Sequence, residues 1–325
     1  MRIKAVFVRG ALILALLALP GCQKHETLEI TFGGDIFLAR DGEALFVANP
    51  WGAFSQADKP DTASGSERLF FANLESPLKR SDEKGPGAAV GYDLCAAEDQ
   101  TPVLKAGGID LVSIANNHRG DCGDAGGANT AAILKEASIR TVGPDLSPVV
   151  IDTSAGRVGV IAAEDVNQTV DADALVKQIK AVRPQCDILI VSMHWGNEYQ
   201  AGAAGRQREL AQSIADAGAD VLWGHHPHVL QPIEWMQSSD GSRKTLVMYS
   251  LGNLLSDQWM TPDTQRSALV TIRFSRGKIV SLSMQPVRMD RAERQLITPA
   301  DDEIDWINRR LGLDQLTGID IIPLP

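Results

Sequence analysis

The sequence predicts a layered α/β domain. Between Thr27 and Pro286, short β-rich runs recur with helical stretches between them, the alternation that separates layered α/β folds from helical bundles and β-sandwiches. The histidines point the same way: apart from His25, the other five all fall at the ends of expected strands, where rigid strands hold side chains and loops leave room for a ligand. A hydrophobic content of 44% over 325 residues is enough for one large core or two small ones.

In chain order, the β-rich runs are residues 29–33, 69–74, 110–114, 158–162, 187–193, 220–223, 245–250, 268–274 and 278–284. Helical patterns occupy residues 98–106, 127–137, 171–182, 206–217 and 301–310; the last follows Pro299 with acidic residues that suit the positive end of a helix. Residues 55–66 and 81–91 are polar, carry glycine or proline, and read as surface loops rather than domain boundaries. One domain over residues 22–325 is expected, with its motifs between residues 28 and 286 and a C-terminal helix and tail over residues 299–325.

Ahead of this domain, residues 1–21 read as a lipoprotein signal. Arg2, Lys4 and Arg9 precede the uncharged run 11–19, and Leu19-Pro20-Gly21 leads to Cys22. The run is short of the roughly 20 apolar residues that a spanning helix needs, so cleavage before Cys22 and lipidation of its thiol are expected. Gln23 carries no acidic retention signal, which in a two-membrane bacterium implies sorting to the periplasmic face of the outer membrane. Processing moves the formal charge from −10 to −13. Such a surface excludes nucleic acid as the expected partner, because phosphate backbones are held by clustered Lys and Arg. In an exported chain the polar contexts of Cys95 and Cys122 favour a disulfide between them, while Cys186, at the start of an apolar run, reads as a small buried hydrophobe.

The chemistry lies at five strand ends. Gly34-Asp35, Asn73-Leu74-Glu75, Asn116-Asn117-His118, His194-Trp195-Gly196 and Gly224-His225-His226-Pro227-His228 deliver in turn carboxylate, carboxylate, amide, imidazole and imidazole. That donor set suits a borderline divalent ion of the manganese, iron or zinc type better than calcium, which takes an all-oxygen cage. On an extended segment His226 and His228 would face the same side. Arg40, Glu198, Gln231 and Asn253 are candidates for outer hydrogen bonds or substrate contacts, and Trp195 and Trp223 for core packing.

The order of these motifs carries a resemblance. Thr31-Phe32-Gly33-Gly34-Asp35, Asn73-Leu74-Glu75-Ser76-Pro77, Ala115-Asn116-Asn117-His118-Arg119-Gly120-Asp121-Cys122-Gly123, His194-Trp195-Gly196-Asn197-Glu198-Tyr199, Gly224-His225-His226-Pro227-His228-Val229-Leu230-Gln231 and Tyr249-Ser250-Leu251-Gly252-Asn253 resemble the successive signatures of the CapA family of capsule, or poly-gamma-glutamate, synthesis proteins. That family is similar to calcineurin-like metallophosphoesterases, which implies a four-layer α-β-β-α sandwich with one or two divalent metal ions at the strand ends. The resemblance makes Asp35 the first aspartate, Glu75 the bridging carboxylate and Asn117 the amide ligand. It gives His194 and His226 to the second metal and His228 to the first, and makes His118 the leaving-group acid with Asp121 orienting it. Where phosphoesterases carry Asp-x-His this chain has Asp35-Ile36-Phe37, so the first metal is one imidazole short, with His225 or a water available to fill the gap. The function implied is capsule or poly-gamma-glutamate synthesis or export, in a polymer-synthesis complex and with a hydrolase-type site. The alternatives are a non-catalytic binding module of the cell envelope, a metal-stabilised structural lipoprotein, and a phosphoesterase unrelated to capsule.

Overall fold

The computed structural model describes residues 27–40, 49–56, 66–80, 93–145 and 147–323. The signal segment and Cys22 lie outside the described residues. The elements run β1 (Thr27–Ile36), β2 (Glu67–Leu74), β3 (Leu78–Lys79), β4 (Ala96–Ala97), α1 (Thr101–Gly107), β5 (Leu111–Ser113), α2 (Gly126–Glu136), β6 (Arg140–Val142), β7 (Val149–Thr153) and β8 (Gly156–Glu164). They continue with α3 (Ala172–Val182), β9 (Ile188–His194), α4 (Gly205–Ala217), β10 (Val221–His225), β11 (Ile233–Gln237), β12 (Lys244–Met248), β13 (Asn253–Leu255), β14 (Arg266–Ser275), β15 (Lys278–Asp290), β16 (Gln295–Ile297), α5 (Asp301–Leu311) and β17 (Asp320–Pro323).

Local sequence explains the elements that frame the site. In α3, Asp171 accepts a hydrogen bond from the Ala174 amide at 3.0 Å, and Leu175, Ile179 and Val182 recur on one buried face. All seven residues of β9 are buried, as expected of a parallel strand covered on both faces.

Two sheets stack between helices. One has the strand order β16-β15-β14-β1-β2-β5-β6, and the other β11-β12-β10-β9-β8-β7. Leu28, Ile30 and Phe32 of β1 interleave with Val158, Val160, Ile188, Ile190 and Trp223 from the second sheet to form the central core. Leu104 of α1 and Ile133 and Leu134 of α2 cover the outer face of the first sheet through Phe70 and Ala72. Leu175 and Ile179 of α3 and Leu210 and Ile214 of α4 cover the outer face of the second. The result is the expected four-layer α-β-β-α sandwich.

Several elements were not legible in the sequence. Strands β6, β7, β11, β16 and β17 fall where no strand was expected, and of these only β17 lies in the expected tail. Most are short or lie at a sheet edge, so their pairing rather than their own alternation decides them. The C-terminal tail does pack back, as β17 in parallel with β15. Residues 245–250 were read as one strand, but β12 ends at Met248, and Asn253 opens β13, which pairs with β1 opposite Asp35.

Candidate metal centre

Parallel pairing brings the motif residues together. Asp35 is opposite Asn73 across β1 and β2, and His194 is opposite His225 across β9 and β10. The first sheet therefore delivers carboxylates and the second imidazoles to the same edge of the sandwich. Two glycines allow the approach. A Cβ on Gly34 would lie 1.9 Å from the Gly252 carbonyl oxygen, and one on Gly224 would lie 2.1 Å from that of Tyr249.

Asp35, Glu75 and His194 are fully buried, with ligand atoms within 4.8 Å of one another. His194 Nε2 lies 2.7 Å from Asn117 Oδ1 and 3.3 Å from Glu75 Oε1. Such separations match neighbouring ligand atoms around one ion bound at about 2.0–2.2 Å. His228 Nδ1 sits 3.1 Å from both Asp35 Oδ2 and Asn253 Oδ1. Both neighbours are acceptors, so Nδ1 carries the proton and the Nε2 lone pair is left facing Glu75 Oε2, 3.9 Å away. His226 and His228 form a second group with Glu198, again within 4.8 Å. His225 Nδ1 lies 3.7 Å from Asp35 Oδ1, and its Nε2 is 3.1 Å from Ser192 Oγ.

One expectation is corrected. The segment from His226 to His228 is not extended: His226 has φ 94° and His228 φ 59°, both in the region that non-glycine residues rarely occupy. The imidazoles converge, with ring centroids 5.6 Å apart, through a strained turn rather than through strand alternation. Among the described residues the ligand atoms fall in two groups, Asp35 with Glu75 and His194, and Glu198 with His226 and His228, while the His194 and His226 rings also lie close, with centroids 4.9 Å apart. Glu198, expected only in an outer role, is therefore placed as a possible ligand.

The outer residues have definite jobs. Asp121 Oδ2 is 2.9 Å from His118 Nδ1 and accepts from the Leu94 amide at 2.8 Å. A disulfide joins Cys95 to Cys122 on either side of that contact. Asn253 orients His228 and donates to the Thr264 carbonyl at 3.0 Å. Gln231 touches none of the ligand atoms. It accepts from Gln207 and donates to the Gln200 carbonyl, which holds the loop after Glu198 in place. Arg40 pairs with Asp257 at 2.6 Å and lies over the Phe37 ring. Phe37 meets the His228 ring edge-on, with centroids 5.4 Å apart. Cys186 is buried and free, and Trp195 and Trp223 are buried in the core.

Sequence reading missed Asn73 and Ser192. Asn73 Nδ2 donates to Asp35 Oδ1 at 2.8 Å and lies 3.4 Å from Glu75 Oε1, tying the two carboxylates together. Strand alternation carried the signal, because residues two apart share a face with Glu75 and with His194.

The electrostatics ask for a cation. Burial, with the charges of Asp35 and Glu198, pushes the Glu75 carboxyl well above its ordinary range. Burial also acts to raise Asp35, but its hydrogen bond and charge contact with His228, with help from His225 and Asn73, leave it lowered. Burial and the neighbouring imidazoles hold His194 well below its usual pKa, and burial brings His225 and His226 down to about 4. Glu75 Oε2, Asn73 Oδ1, His225 Nδ1 and His226 Nδ1 are buried without hydrogen-bond partners. Orphaned buried donors and acceptors are costly, and four in one place fit a site built for one or two divalent ions.

The chain matches the model of the bacterial capsule synthesis protein PGA_cap over residues 29–258. It belongs to this family. The PGA_cap chain is 30% identical over 320 residues to the capsule biosynthesis protein CapA of Bacillus anthracis, covering 91% of this chain and 75% of that one. It is 27% identical over 318 residues to the PGA biosynthesis protein CapA of Bacillus subtilis, covering 90% and 78%. Its α-β-β-α sandwich is similar in fold to the crystal structure of a phosphatase from Mycoplasma pneumoniae, with TM-score 0.50 and 12% identity over 81% of this chain and 94% of that one.

Proposed function

We propose that this PGA_cap protein is an exported, lipid-anchored participant in capsule or poly-gamma-glutamate synthesis with a metal-dependent hydrolase-type site. The relatives named for capsule and PGA biosynthesis support the biological role. The observation that carries the chemistry is the convergence of two fully buried carboxylates with four imidazoles at one sheet edge, with four orphaned polar atoms among them and their neighbours. Asp35, Glu75, Asn117 and His194 would hold one ion, and Glu198, His226 and His228 another. Such ions, when bound, lower the pKa of a coordinated water toward about 7 and neutralise developing charge. The chain's own part is to position and to move a proton: His118, oriented by Asp121, hands a proton to the leaving oxygen from Nε2, while Asn73 keeps the two carboxylates at their spacing.

One observation favours a second reading, a binding module without turnover. Phe37 occupies the place of an expected ligand and packs on His228 instead. Metal analysis combined with a panel of phosphodiesters and glutamyl polymers tests both. Under the first reading His194→Ala lowers metal affinity by roughly 100-fold or more and abolishes hydrolysis, whereas His118→Ala keeps the metal and loses turnover. Full metal occupancy with no turnover on any substrate, in parent and variants alike, selects the binding module.

A further inference from the structure

The metal centre occupies one pole of the sandwich, and the opposite pole has its own chemistry. Strand β9 runs from Ile188 to His194 and β10 from Val221 to His225, with Asp187 and Asp220 immediately before them. Their starts, remote from the metal centre, line a cleft of about 740 Å³ between the two sheets, in which Arg183, Arg243, Lys244 and Lys278 face Asp187 and Asp220. Arg183 is committed to Asp220 by a salt bridge. Arg243, Lys244 and Lys278 are exposed and form no salt bridge among the described residues. The carboxylate of Asp187 is engaged by the Arg157 amide at 2.7 Å. A chain with formal charge −10 thus gathers four cations against two carboxylates around this one cleft.

The tip of the β14–β15 hairpin borders this cleft, since a Cβ on Gly277 would lie 3.1 Å from the Asp187 carbonyl oxygen. Val280 is left outside the strand pairing at a bulge and is 41% exposed beside Lys278. The start of β1 lies at the same place, because Thr27 pairs with Ser275, and Ser275 with Lys278. Only Gln23 to Glu26 separate Cys22 from Thr27, and a chain of that length spans at most about 18 Å. Asp35, eight residues along β1, lies about 26 Å beyond Thr27 at the usual strand rise.

We infer that this pole is the membrane-facing surface of the protein, its cleft and hairpin tip taking the phosphates of anionic lipid headgroups, with the metal centre directed away from the bilayer. The inference rests on lipidation of Cys22 for the tether, while the charge complementarity stands on the structure alone. An acidic body is repelled by an anionic surface, and a basic pole beside the anchor converts that repulsion into orientation. The site would then face a polymer or complex distal to the membrane.

The test is amide hydrogen exchange on the lipidated mature chain in vesicles of phosphatidylcholine alone and mixed with phosphatidylglycerol. Exchange over residues 276–280 and 243–245 should slow by roughly tenfold in the anionic vesicles only, and the protection should vanish at high salt. The double variant Arg243→Glu and Lys278→Glu, both at exposed positions, should lose the protection while staying membrane-bound through its anchor and keeping its metal content. Equal exchange in the two kinds of vesicle, or protection over residues 226–228 instead, overturns the inference. A mature chain without lipid by mass spectrometry overturns the anchor but not the charge argument. Cosedimentation of that chain with anionic over neutral vesicles at low salt then decides the surface, and no preference refutes it.

Discussion

A single side chain distinguishes this site from one with a full complement of ligands. Phe37 is buried and presents its ring to His228, at the position where the resemblance to phosphoesterases expects an imidazole ligand. Phe37→His should therefore raise affinity at the weaker ion position, read as a second equivalent in metal titration by calorimetry; unchanged stoichiometry would mean that backbone geometry keeps position 37 out of reach. Glu75 sets the proton linkage. Its carboxyl pKa is raised by burial, and a ligand must be deprotonated to bind. Metal binding therefore releases a proton from it, so affinity should climb as pH rises through the acid range and be lost as pH falls below the raised pKa. His225 and His226, held at about 4, are already neutral over most of that range and add little to the slope. An affinity that does not change with pH would contradict a protonated Glu75 in the metal-free protein.

At the scale of elements, close approach of strand ends is what the ligand geometry depends on. Gly34→Ala places a methyl carbon against the backbone of Gly252, which cannot swing aside as a side chain could. A cost of about 2–4 kcal/mol is expected from overpacking of this kind, visible as a lower urea midpoint together with reduced metal content. The loop after β5 depends on a covalent tie. Removing the disulfide by Cys95→Ser with Cys122→Ser opens a loop spanning 27 residues, and loop-closure entropy predicts a loss of about 3–4 kcal/mol. Because Leu94 and His118 share Asp121 Oδ2, the same variant should lower kcat more than it raises KM. A variant that melts lower but keeps its kcat would separate the disulfide from the placement of His118.

For the whole molecule, two buried carboxylates, four imidazoles and their orphaned atoms would make a bound metal a structural as well as a chemical component. A ligand at about 1,000 times its Kd stabilises the folded state by about 4 kcal/mol. Chelation should lower Tm by several degrees, with manganese, iron or zinc restoring it, and His194→Ala should show little further loss on chelation. An unchanged Tm would argue against a bound ion in the purified protein. No described helix is long and apolar enough to cross a membrane.

The sequence by itself determined the layered α/β class, the positions of the main strands and of the five described α-helices, and the donor types at each strand end. These are local matters: alternation and helical spacing report which face is buried, and the order of the motifs reports the family. Only the tertiary structure decided how the donors are shared out. Asn73 was legible in principle through its alternation with Glu75, but its contact with Asp35 exists only because β1 and β2 pair in that register. The convergence of His226 and His228 depends on two positive φ angles that no side-chain pattern announces, held by packing against β1 and β13. Glu198 joins them because Gln231 fixes the loop that follows it. Distances between ligands are set by sheet register and strained turns formed over long sequence separations, and such long-range terms leave little trace in local composition.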